Sequence, residues 1–446
     1  MIVLKFGGTS VGTSRSIKQV VQIIAKIKEP KLVVLSAVSG TTNSLIVINE
    51  LIKAGAIGDA TLGIHQLQSS YFNLISELYS TSTYKERARS FIAAKFSRLK
   101  ALAKRESRKN LYNIIVAQGE ILSTNLVQLY LEEYQISSSL ISALEFVEVD
   151  ENNEPKLSVL TGKITPILAK DPNQSLWITQ GFICKDNNGE ISNLQRGGSD
   201  YTASLIGAAI QADEIQIWTD INGMQNNDPR YVENTFSVEE VSFDEAAELA
   251  YFGAKILHPQ SLIPAKENNI PVWLKNTFSP ASKGTIIRNK SVNSGVTAIA
   301  AKDGITAIKI KSYRMLMAYG FLKNVFEVFE KHQTPIDMIT TSEVAVSLTI
   351  DNTNALKKIT DELNAYGKVE VDTGLSIVCV AGDFSQNKEG ISALVFNSLK
   401  DIPIRMISYG GSNYNVSLLV KSTDKKAALN SLNKGLFPKK QVLQEI

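Results

Sequence analysis

The sequence predicts an α/β protein in which a mainly parallel sheet is followed by repeated ferredoxin-like βαββαβ units. A short apolar run at Ile2–Phe6 indicates a buried strand, and apolar residues then recur at helical spacing from Ile17 to Ile27. A second apolar run follows at 32–35. Strand, helix and strand in this order form a βαβ unit, whose strands are parallel. Similar strands are predicted at 215–219 and 271–274.

An internal repeat predicts the second region. Residues 335–339 (Pro-Ile-Asp-Met-Ile) resemble 403–407 (Pro-Ile-Arg-Met-Ile), and a short strand follows each copy. A helix precedes each copy, at 321–332 and 389–399, which completes the order expected of a βαββαβ unit present twice. The alternative is a chance match between two short segments.

A turn-rich stretch at 279–304 predicts a boundary between the two regions. We therefore expect one domain at 1–290 and a second region at 300–446. The second region would hold two units, at approximately 305–375 and 376–446, which could be interleaved.

Composition restricts the class of protein. The chain has 446 residues with 47 basic and 44 acidic side chains, and this net charge of +3 argues weakly against a nucleic-acid partner. Two cysteines and three scattered histidines give no disulfide framework and no metal-binding spacing. The N-terminus shows no pattern of a signal peptide. We expect a cytoplasmic protein with no membrane partner and no metal held by its own side chains.

One segment departs from this charge balance. Residues 85–109 hold ten basic and two acidic side chains. The segment could bind phosphate or nucleic acid, but apolar residues at helical spacing favour a solvated helix face. Aromatic residues that could stack on bases do not alternate with the charges.

The first candidate site follows the first strand. Lys5 ends this strand, and Gly7 and Gly8 would let backbone amides approach phosphate oxygens before a helix N-terminus. The loop is not a P-loop, because Thr13 stands where that motif requires lysine. An ordinary strand-to-helix turn explains the same residues equally well.

The next candidates could bind a carboxylate or an amino group. Ser36 and Thr42 lie in a hydroxyl-rich loop after the second strand, and the alternative is helix capping by Thr42 or its neighbour. Glu120 lies in a helical pattern between apolar residues, which suggests partial burial. Residues 196–202 (Arg-Gly-Gly-Ser-Asp-Tyr-Thr) precede an apolar helix.

In that segment, Arg196 could bind a carboxylate through two hydrogen bonds. Asp200 could orient the amino group of a substrate or position a cationic partner, and a helix cap is the alternative. Thr219 and Asp220 end a predicted parallel strand, where such sheets bind ligands. Lys255 is a second candidate for binding phosphate.

These motifs, in this order, resemble those of the aspartate kinase family over essentially the whole chain. The matching segments are 5–11, 118–120, 179–182, 196–202, 219–220, 228–230 and 252–259. The resemblance implies an amino-acid kinase fold with an αβα catalytic domain, followed by two ACT domains. It also implies a monofunctional enzyme, since the chain stops after the second repeat.

The resemblance implies phosphorylation of L-aspartate by ATP to 4-phospho-L-aspartate, with Mg²⁺ as the cofactor. Lys5, Lys255, Gly7 and Gly8 would act on the phosphates, and Thr219, Asp220 and Arg230 match the nucleotide pocket. The matches to the aspartate pocket are Ser36, Thr42, Glu120, Arg196 and Ser199, with Asp200 beside them. One departure is Gln225, where the family often has tyrosine.

The regulatory half resembles the lysine-sensitive type of the family. The matching effector residues are Met315, Gly320, Phe321, Leu322, Asp337, Thr341 and Ser342. Asp337 could pair with a cationic effector side chain, which favours lysine over threonine. The alternative is that these residues only pack two ACT units together. Because ACT units often pair between subunits, we expect a homodimer or a larger assembly.

Two other functions stay open. The chain could be another kinase of the same fold that acts on a different carboxylate, such as glutamate. It could also be a non-catalytic amino-acid sensor, although the presence of both Lys5 and Lys255 argues against this.

Overall fold

The computed structural model describes residues 1–104, 110–194, 197–252, 257–290, 295–315, 319–384 and 390–438. Two compact units are present. The first comprises Met1–Met224, Glu239–Phe243 and Leu257–Lys290, and the second comprises Gln225–Val238, Asp244–Ile256 and Ser291–Ile446.

The first unit has an αβα arrangement. Its elements in chain order are β1 (Ile2–Phe6), α1 (Ser14–Lys26), β2 (Lys31–Leu35), α2 (Thr41–Lys53), α3 (Ile57–Leu78), α4 (Ser82–Ala103), α5 (Leu111–Val116), α6 (Gln118–Glu133), β3 (Ser139–Leu140), α7 (Leu157–Ala169), β4 (Leu176–Gln180), β5 (Ile183–Lys185), β6 (Ile191–Asn193), α8 (Gly198–Ala209), β7 (Glu214–Thr219) and β8 (Glu240–Ser242). After α9 (Phe243–Tyr251), which lies almost wholly in the second unit, the first unit continues with α10 (Ile263–Glu267), β9 (Val272–Asn276) and β10 (Thr285–Arg288).

An eight-stranded sheet forms the centre of this unit, in the order β3-β4-β2-β1-β7-β9-β10-β8. Every pairing is parallel except that of β9 with β10. All residues of β1, β2 and β4 are buried, as expected for central parallel strands covered on both faces. The prediction of a mainly parallel sheet is therefore confirmed.

The helices of the first unit bury an apolar face against this sheet and against one another. Tyr71 of α3 and Phe96 of α4, whose ring centroids are 5.9 Å apart, lie in this core. One helical stretch, Leu111–Glu133, is long and apolar enough to cross a membrane. Of its most apolar window, 78% is buried inside the protein, which is typical of a core helix.

The second unit contains a six-stranded antiparallel sheet. Its elements are β11 (Gly295–Lys311), α11 (Phe321–Lys331), β12 (Ile339–Ser342), β13 (Ala345–Ile350), α12 (Leu356–Leu363), β14 (Lys368–Asp383), α13 (Ile391–Ser398), β15 (Met406–Tyr409), β16 (Asn415–Lys421) and α14 (Lys425–Leu436). The strand order is β12-β13-β11-β14-β16-β15.

Two βαββαβ units share the long strands β11 and β14. The second half of β11 pairs with β13, whereas its first half pairs with the second half of β14. That half of β14 also pairs with β16. The strand expected after α14 is thus supplied by the first half of β11, and the two units are interleaved.

The compact units divide the chain differently from the predicted domains, whose boundary stays a prediction. The turn-rich stretch 279–304 contains β10 and the first half of β11. Residues 225–238 and 244–256 belong to the second unit, although the prediction placed them in the first domain. Side-chain contacts explain this grouping, because Asn226 Nδ2 donates a hydrogen bond to Asn433 Oδ1 (2.8 Å) and Val232 packs in the same core as α14.

Candidate active site

The carboxyl ends of neighbouring parallel strands bring several predicted residues together. The loops after β1, β2, β4 and β7 all begin at one edge of the sheet. The backbone ties them to each other: the Ser36 amide donates to the Phe6 carbonyl, and the Gly181 amide donates to the Leu35 carbonyl. These loops line a cavity of about 550 Å³.

This cavity contains seven residues that the sequence predicted. They are Gly8, Ser36, Thr42, Glu120, Ser199, Thr219 and Asp220. Its other lining residues include Thr9, Ser39, Gly40, Asn43 and Phe182, which the sequence analysis did not assign to a site. Most of these residues lie just after the end of a predicted strand, and this position is the feature of the sequence that could have identified them.

Lys5 is held by an ion pair. Its Nζ lies 2.6 Å from Asp200 Oδ1, and both side chains are largely buried, with 11% and 16% exposure. Of the two roles considered for Asp200, the structure shows the contact with a cationic partner. Asp200 lies in the first turn of α8, whose N-cap residue, Gly197, makes no side-chain capping hydrogen bond.

The two glycines after Lys5 do not have the same role. The Gly7 amide donates to the Trp218 carbonyl (3.2 Å), so it is used within the fold. The expectation that Gly7 supplies an amide to a phosphate stays a prediction, and in this structure that amide already has a partner. Gly8 lines the cavity, and a Cβ added to it would lie 3.2 Å from the Ala37 carbonyl oxygen. A side chain at Gly8 would crowd the next loop.

Hydroxyl groups from distant parts of the chain meet at this cavity. Ser36 Oγ donates a hydrogen bond to Ser199 Oγ (2.8 Å). Thr42 also lines the cavity and does not cap α2, because the N-cap position is Gly40 and has no side-chain capping bond. Thr42 and Ser199 are thus available as donors to a carboxylate, whereas the hydroxyl of Ser36 donates to Ser199 in this structure.

Glu120 is the most strongly perturbed acid at the cavity. Its side chain is 4% exposed, and burial raises its pKa to about 8 despite backbone hydrogen bonds that favour the ionised form. The Ala37 amide donates to Oε1 (3.3 Å). Oε2 is buried and has no hydrogen-bond partner among the described residues. A buried oxygen without a partner is costly, and a carboxyl group with a perturbed pKa at a cavity is a candidate functional residue.

Two glycines allow these close approaches. A Cβ on Gly119 would lie 2.8 Å from the Ala37 Cβ, so only glycine lets α6 bring Glu120 against the loop after β2. A Cβ on Gly181 would lie 2.3 Å from Ser199 Oγ. Both glycines lie within matching motifs of the sequence, but the sequence alone does not show that close packing requires them.

Several predicted residues lie elsewhere or outside the described part of the chain. Arg196 and Lys255 fall outside the described residues. Arg230 belongs to the second unit, where its guanidinium binds Asp228 (2.6 Å from Nη2 to Oδ2) and is largely exposed. Gln225 also belongs to this unit and donates to Ser237 Oγ (2.9 Å). The nucleotide role of Arg230 stays a prediction.

The predicted effector residues lie in the second unit, around α11 and β12. Gly320 is the N-cap of α11 with a φ of 81°. Phe321 is part of an apolar core, and Met315 and Leu322 pack against that core. Thr341 and Ser342 are exposed on β12, at one edge of the sheet. Asp337 is buried, with 2% exposure of its side chain, and already has a cationic partner in Lys302 (2.8 Å).

The described residues contain no group of three or more His, Cys, Asp or Glu side chains that could hold a metal ion. Magnesium in phosphoryl-transfer sites is commonly held by one or two carboxylates together with the phosphates of the nucleotide. Asp220 is exposed at the cavity and is the carboxylate that fits such a contact.

Comparison with known proteins identifies the family of this chain. The model of the amino acid kinase family matches residues 1–276, and a model of the ACT domain matches 378–436. Lysine-sensitive aspartokinase 3 of Escherichia coli is 33% identical over 98% of this chain and 99% of its own length. Chloroplastic aspartokinase 1 of Arabidopsis thaliana is 33% identical over 98% of this chain and 80% of its own length.

Solved structures give the same result. Escherichia coli aspartokinase III in complex with lysine and aspartate has a TM-score of 0.84 at 34% identity, with 98% and 99% of the two chains covered. The same enzyme in complex with aspartate and ADP has a TM-score of 0.82 at 33% identity, with 98% and 100% covered. The fold and the site thus define a phosphotransferase of the α/β class. The chain belongs to the aspartokinase family of amino acid kinases.

Proposed function

We propose that this protein transfers the γ-phosphoryl group of ATP to the side-chain carboxylate of L-aspartate, and that an amino-acid effector regulates it. One observation carries the catalytic proposal: a single cavity joins a glycine loop beside a buried lysine to hydroxyl groups and a buried carboxylate. The first set suits phosphate, and the second suits an amino acid.

The phosphate end of the cavity is formed by the loop after β1. The ammonium of Lys5 would neutralise negative charge on the phosphates as the phosphoryl group moves, and the Gly8 amide would bind an oxygen of the γ-phosphate. Lys255 is the second cation of this proposal. Thr219 and Asp220 would contact the nucleotide from the end of β7, and Arg230 would contribute a further cation.

The aspartate end is formed by α6, the loop after β2 and the start of α8. Ser36, Thr42 and Ser199 would donate to substrate oxygens, and Arg196 would bind the α-carboxylate. Glu120 would accept the α-ammonium group at Oε2, the atom that has no partner among the described residues. Asp200 is less suited to this ammonium, since Lys5 already neutralises it.

The chemistry needs little acid–base assistance. The attacking group is a carboxylate, which is ionised at neutral pH, so the reaction needs no general base. The difficulty is to bring this anion close to a polyanion, and the protein meets it by positioning and by charge neutralisation. Mg²⁺ would be held mainly by the phosphates, with Asp220 as a protein ligand, and would supply further neutralisation.

Regulation is the second part of the proposal. The relative from Escherichia coli is described as lysine-sensitive and has been solved with lysine bound. In the second unit, the buried Oδ2 of Asp337 has no partner among the described residues, which supports a cationic effector and therefore lysine over threonine. Both ends of the six-stranded sheet are exposed strands, β12 and β15, which support pairing with a second copy. We place the protein in the cytoplasm.

A coupled assay of ADP release tests the catalytic proposal. We expect turnover with Mg-ATP and L-aspartate, no turnover with L-glutamate, and inhibition by L-lysine more than by L-threonine. Turnover with glutamate in place of aspartate would indicate another kinase of the same fold. If lysine binds in calorimetry but neither ATP binding nor turnover is found, the protein is a sensor and the catalytic proposal fails.

A further inference from the structure

Phe278 is an exposed aromatic side chain at the edge of the sheet where the candidate active site lies. It is 54% exposed and stands two residues after β9, which ends at Asn276. Exposure alone needs no explanation, because single apolar side chains are common on protein surfaces. Its position distinguishes Phe278, because β9 runs parallel to β7 and the two strands end at the same edge, with Asn276 opposite Thr219.

Hydrogen bonds to the neighbouring loop fix the backbone at Phe278. The buried side chain of Asn276 accepts from the Phe278 amide at Oδ1 (2.8 Å) and donates from Nδ2 to Asn222 Oδ1 (2.7 Å), in the loop after β7. The Thr277 amide donates to the carbonyl of Thr219 (2.9 Å). The ring is therefore exposed although its backbone is tied to the residues that end β7.

A further hydrogen bond ties the same segment to the glycine loop after β1. Thr277 Oγ1 lies 2.7 Å from Ser10 Oγ, and both residues are fully buried. Gly8, which lines the cavity, lies in the same loop as Ser10. The segment that carries Phe278 is thus bonded to the loops that follow both β1 and β7.

The order of the strands places Phe278 where the base of a bound nucleotide would lie. The strands β2, β1, β7 and β9 are consecutive neighbours in the sheet, each about 4.8 Å from the next. In the proposed function the loop after β2 contacts aspartate, the loop after β1 contacts the γ-phosphate, and the end of β7 contacts the nucleotide. The base is the part of ATP farthest from the γ-phosphate, and β9 is the next strand in that direction.

The other exposed aromatic side chains among the described residues of the first unit lie far from the cavity. They are Tyr112 and Tyr134. The ammonium of Lys53, the last residue of α2, lies over the Tyr112 ring, and Tyr134 is the C-cap of α6. Both helices begin at the cavity, near Thr42 and Glu120, and their far ends are about 20 Å away. Phe278 is therefore the exposed ring that a nucleotide in this cavity could reach.

We propose that Phe278 is a nucleotide-binding residue whose ring stacks on the adenine of ATP. The contact would remove an exposed apolar ring from water, and the fixed backbone lowers the entropy that is lost on binding. Because every base offers a π face, stacking contributes to affinity with little choice among bases. The inference rests on the proposed function, since it assigns a further residue to the same site.

Calorimetry on the full-length protein tests this contact with two ligands, each as its Mg²⁺ complex. One is a non-hydrolysable ATP analogue, and the other is inorganic tripolyphosphate, which has the phosphates but no base. The variants are Phe278→Ala, which removes the ring, and Phe278→Tyr, which keeps it. The matched control is Leu62→Ala, because Leu62 is an apolar side chain of the same unit that is 57% exposed on α3.

We expect Phe278→Ala to weaken binding of the ATP analogue about 5- to 150-fold, the usual effect of removing one aromatic ring that stacks on a base. The affinity for tripolyphosphate should not change, because stacking requires a base. Phe278→Tyr should bind the analogue as the unsubstituted protein does, and so should Leu62→Ala. A role of Phe278 in folding of the loop would instead change the affinity for both ligands.

Unchanged affinity for the ATP analogue in Phe278→Ala overturns the inference. Equal losses for the analogue and for tripolyphosphate also overturn it, as does a Phe278→Tyr variant that binds no better than Phe278→Ala. If tripolyphosphate binds too weakly to measure, the comparison of the tyrosine and alanine variants decides. A protein that binds no nucleotide at all refutes both this inference and the proposed function.

The two can otherwise fail separately, because these measurements do not depend on turnover. A protein that loses nucleotide affinity in Phe278→Ala but phosphorylates no aspartate would refute the proposed catalytic function and leave the stacking contact intact. Aspartate-dependent turnover together with unchanged nucleotide affinity in Phe278→Ala would refute the stacking contact and leave the catalytic function intact.

Discussion

Replacement of Glu120 by glutamine tests two properties of its buried carboxyl group: the effect of its ionisation on stability, and its role in binding the substrate. Burial raises the pKa of this carboxyl group from its ordinary value of 4.5 to about 8. Because the folded-state pKa is the higher one, the folded protein keeps a proton that the unfolded chain has lost, and ionisation opposes folding. The penalty is absent below pH 4.5, grows as the pH rises, and is complete above pH 8.

Proton linkage gives the size of this penalty. The carboxyl group lowers the free energy of unfolding by about 3 kcal/mol at pH 7 and by about 5 kcal/mol at pH 9. Glutamine has nearly the same shape and cannot ionise. The stability of Glu120→Gln relative to the unsubstituted protein should therefore rise by about 2–3 kcal/mol from pH 5 to pH 7, and by a further 1–2 kcal/mol, roughly, from pH 7 to pH 9.

Urea unfolding followed by tryptophan fluorescence measures this difference. The three tryptophans of the chain, Trp177, Trp218 and Trp273, all lie in the first unit, which contains Glu120. The matched control is Glu151→Gln, since Glu151 is exposed. A difference in unfolding free energy that does not change with pH, or that changes equally in the control, would refute this account of Glu120.

The same substitution tests the binding role. At pH 7 a group with a pKa of about 8 is roughly nine-tenths protonated, and an ammonium placed beside it favours the ionised form. Aspartate binding should therefore release about one proton, which calorimetry in buffers of different ionisation enthalpy detects. Glu120→Gln should release none and should raise the KM for aspartate at least about tenfold. Unchanged proton release in the variant would exclude Glu120 as the partner of the ammonium.

Two further predictions concern the same unit. Lys5→Ala should lower kcat by about a hundredfold or more in the ADP-release assay, because it removes a cation from the phosphate end. The control is Lys53→Ala, on the exposed end of α2, which should not change kcat. Near-normal turnover of Lys5→Ala would refute the role of Lys5. Gly119→Ala should lower stability by about 1–3 kcal/mol and raise the KM for aspartate, because the new Cβ would lie 2.8 Å from Ala37 Cβ. The control is Gly162→Ala in α7, where a new Cβ would have no atom within 4 Å, and this substitution should stabilise the protein by about 0.5–1 kcal/mol. Equal effects of Gly119→Ala and Gly162→Ala on urea unfolding would contradict the packing argument.

Local patterns in the sequence were sufficient to predict the central parallel sheet and the place of the cavity. Apolar runs such as Ile2–Phe6 and 32–35 are strong signals, and the carboxyl ends of parallel strands meet by geometry. Glu120 was expected to be partly buried because apolar residues flank it, and the structure shows it to be buried. Its neighbours across the cavity follow from the same strand geometry.

Contacts between distant segments could not be predicted in this way. The Lys5–Asp200 ion pair joins β1 to the start of α8, and no local pattern indicates which carboxylate meets which cation. The first half of β11 looked like a linker because turn-forming residues precede it, yet it completes a sheet through pairing with β14. Likewise, α9 belongs to the second unit because of side chains that bind Thr297 and Asn415, partners that lie far along the chain.

The candidate active site and the candidate effector site share one electrostatic arrangement. In each, a largely buried aspartate is paired with a lysine of the same unit, Asp200 with Lys5 and Asp337 with Lys302. An unpaired charge in such a place would cost several kcal/mol, whereas the exchange of one partner for a ligand of like charge costs far less. A phosphate that bound Lys5 would compete with Asp200 for the ammonium group. At Asp337, Oδ1 already accepts from Lys302 and Tyr251, whereas Oδ2 has no partner among the described residues, so an ammonium could bind Oδ2 without displacing either side chain.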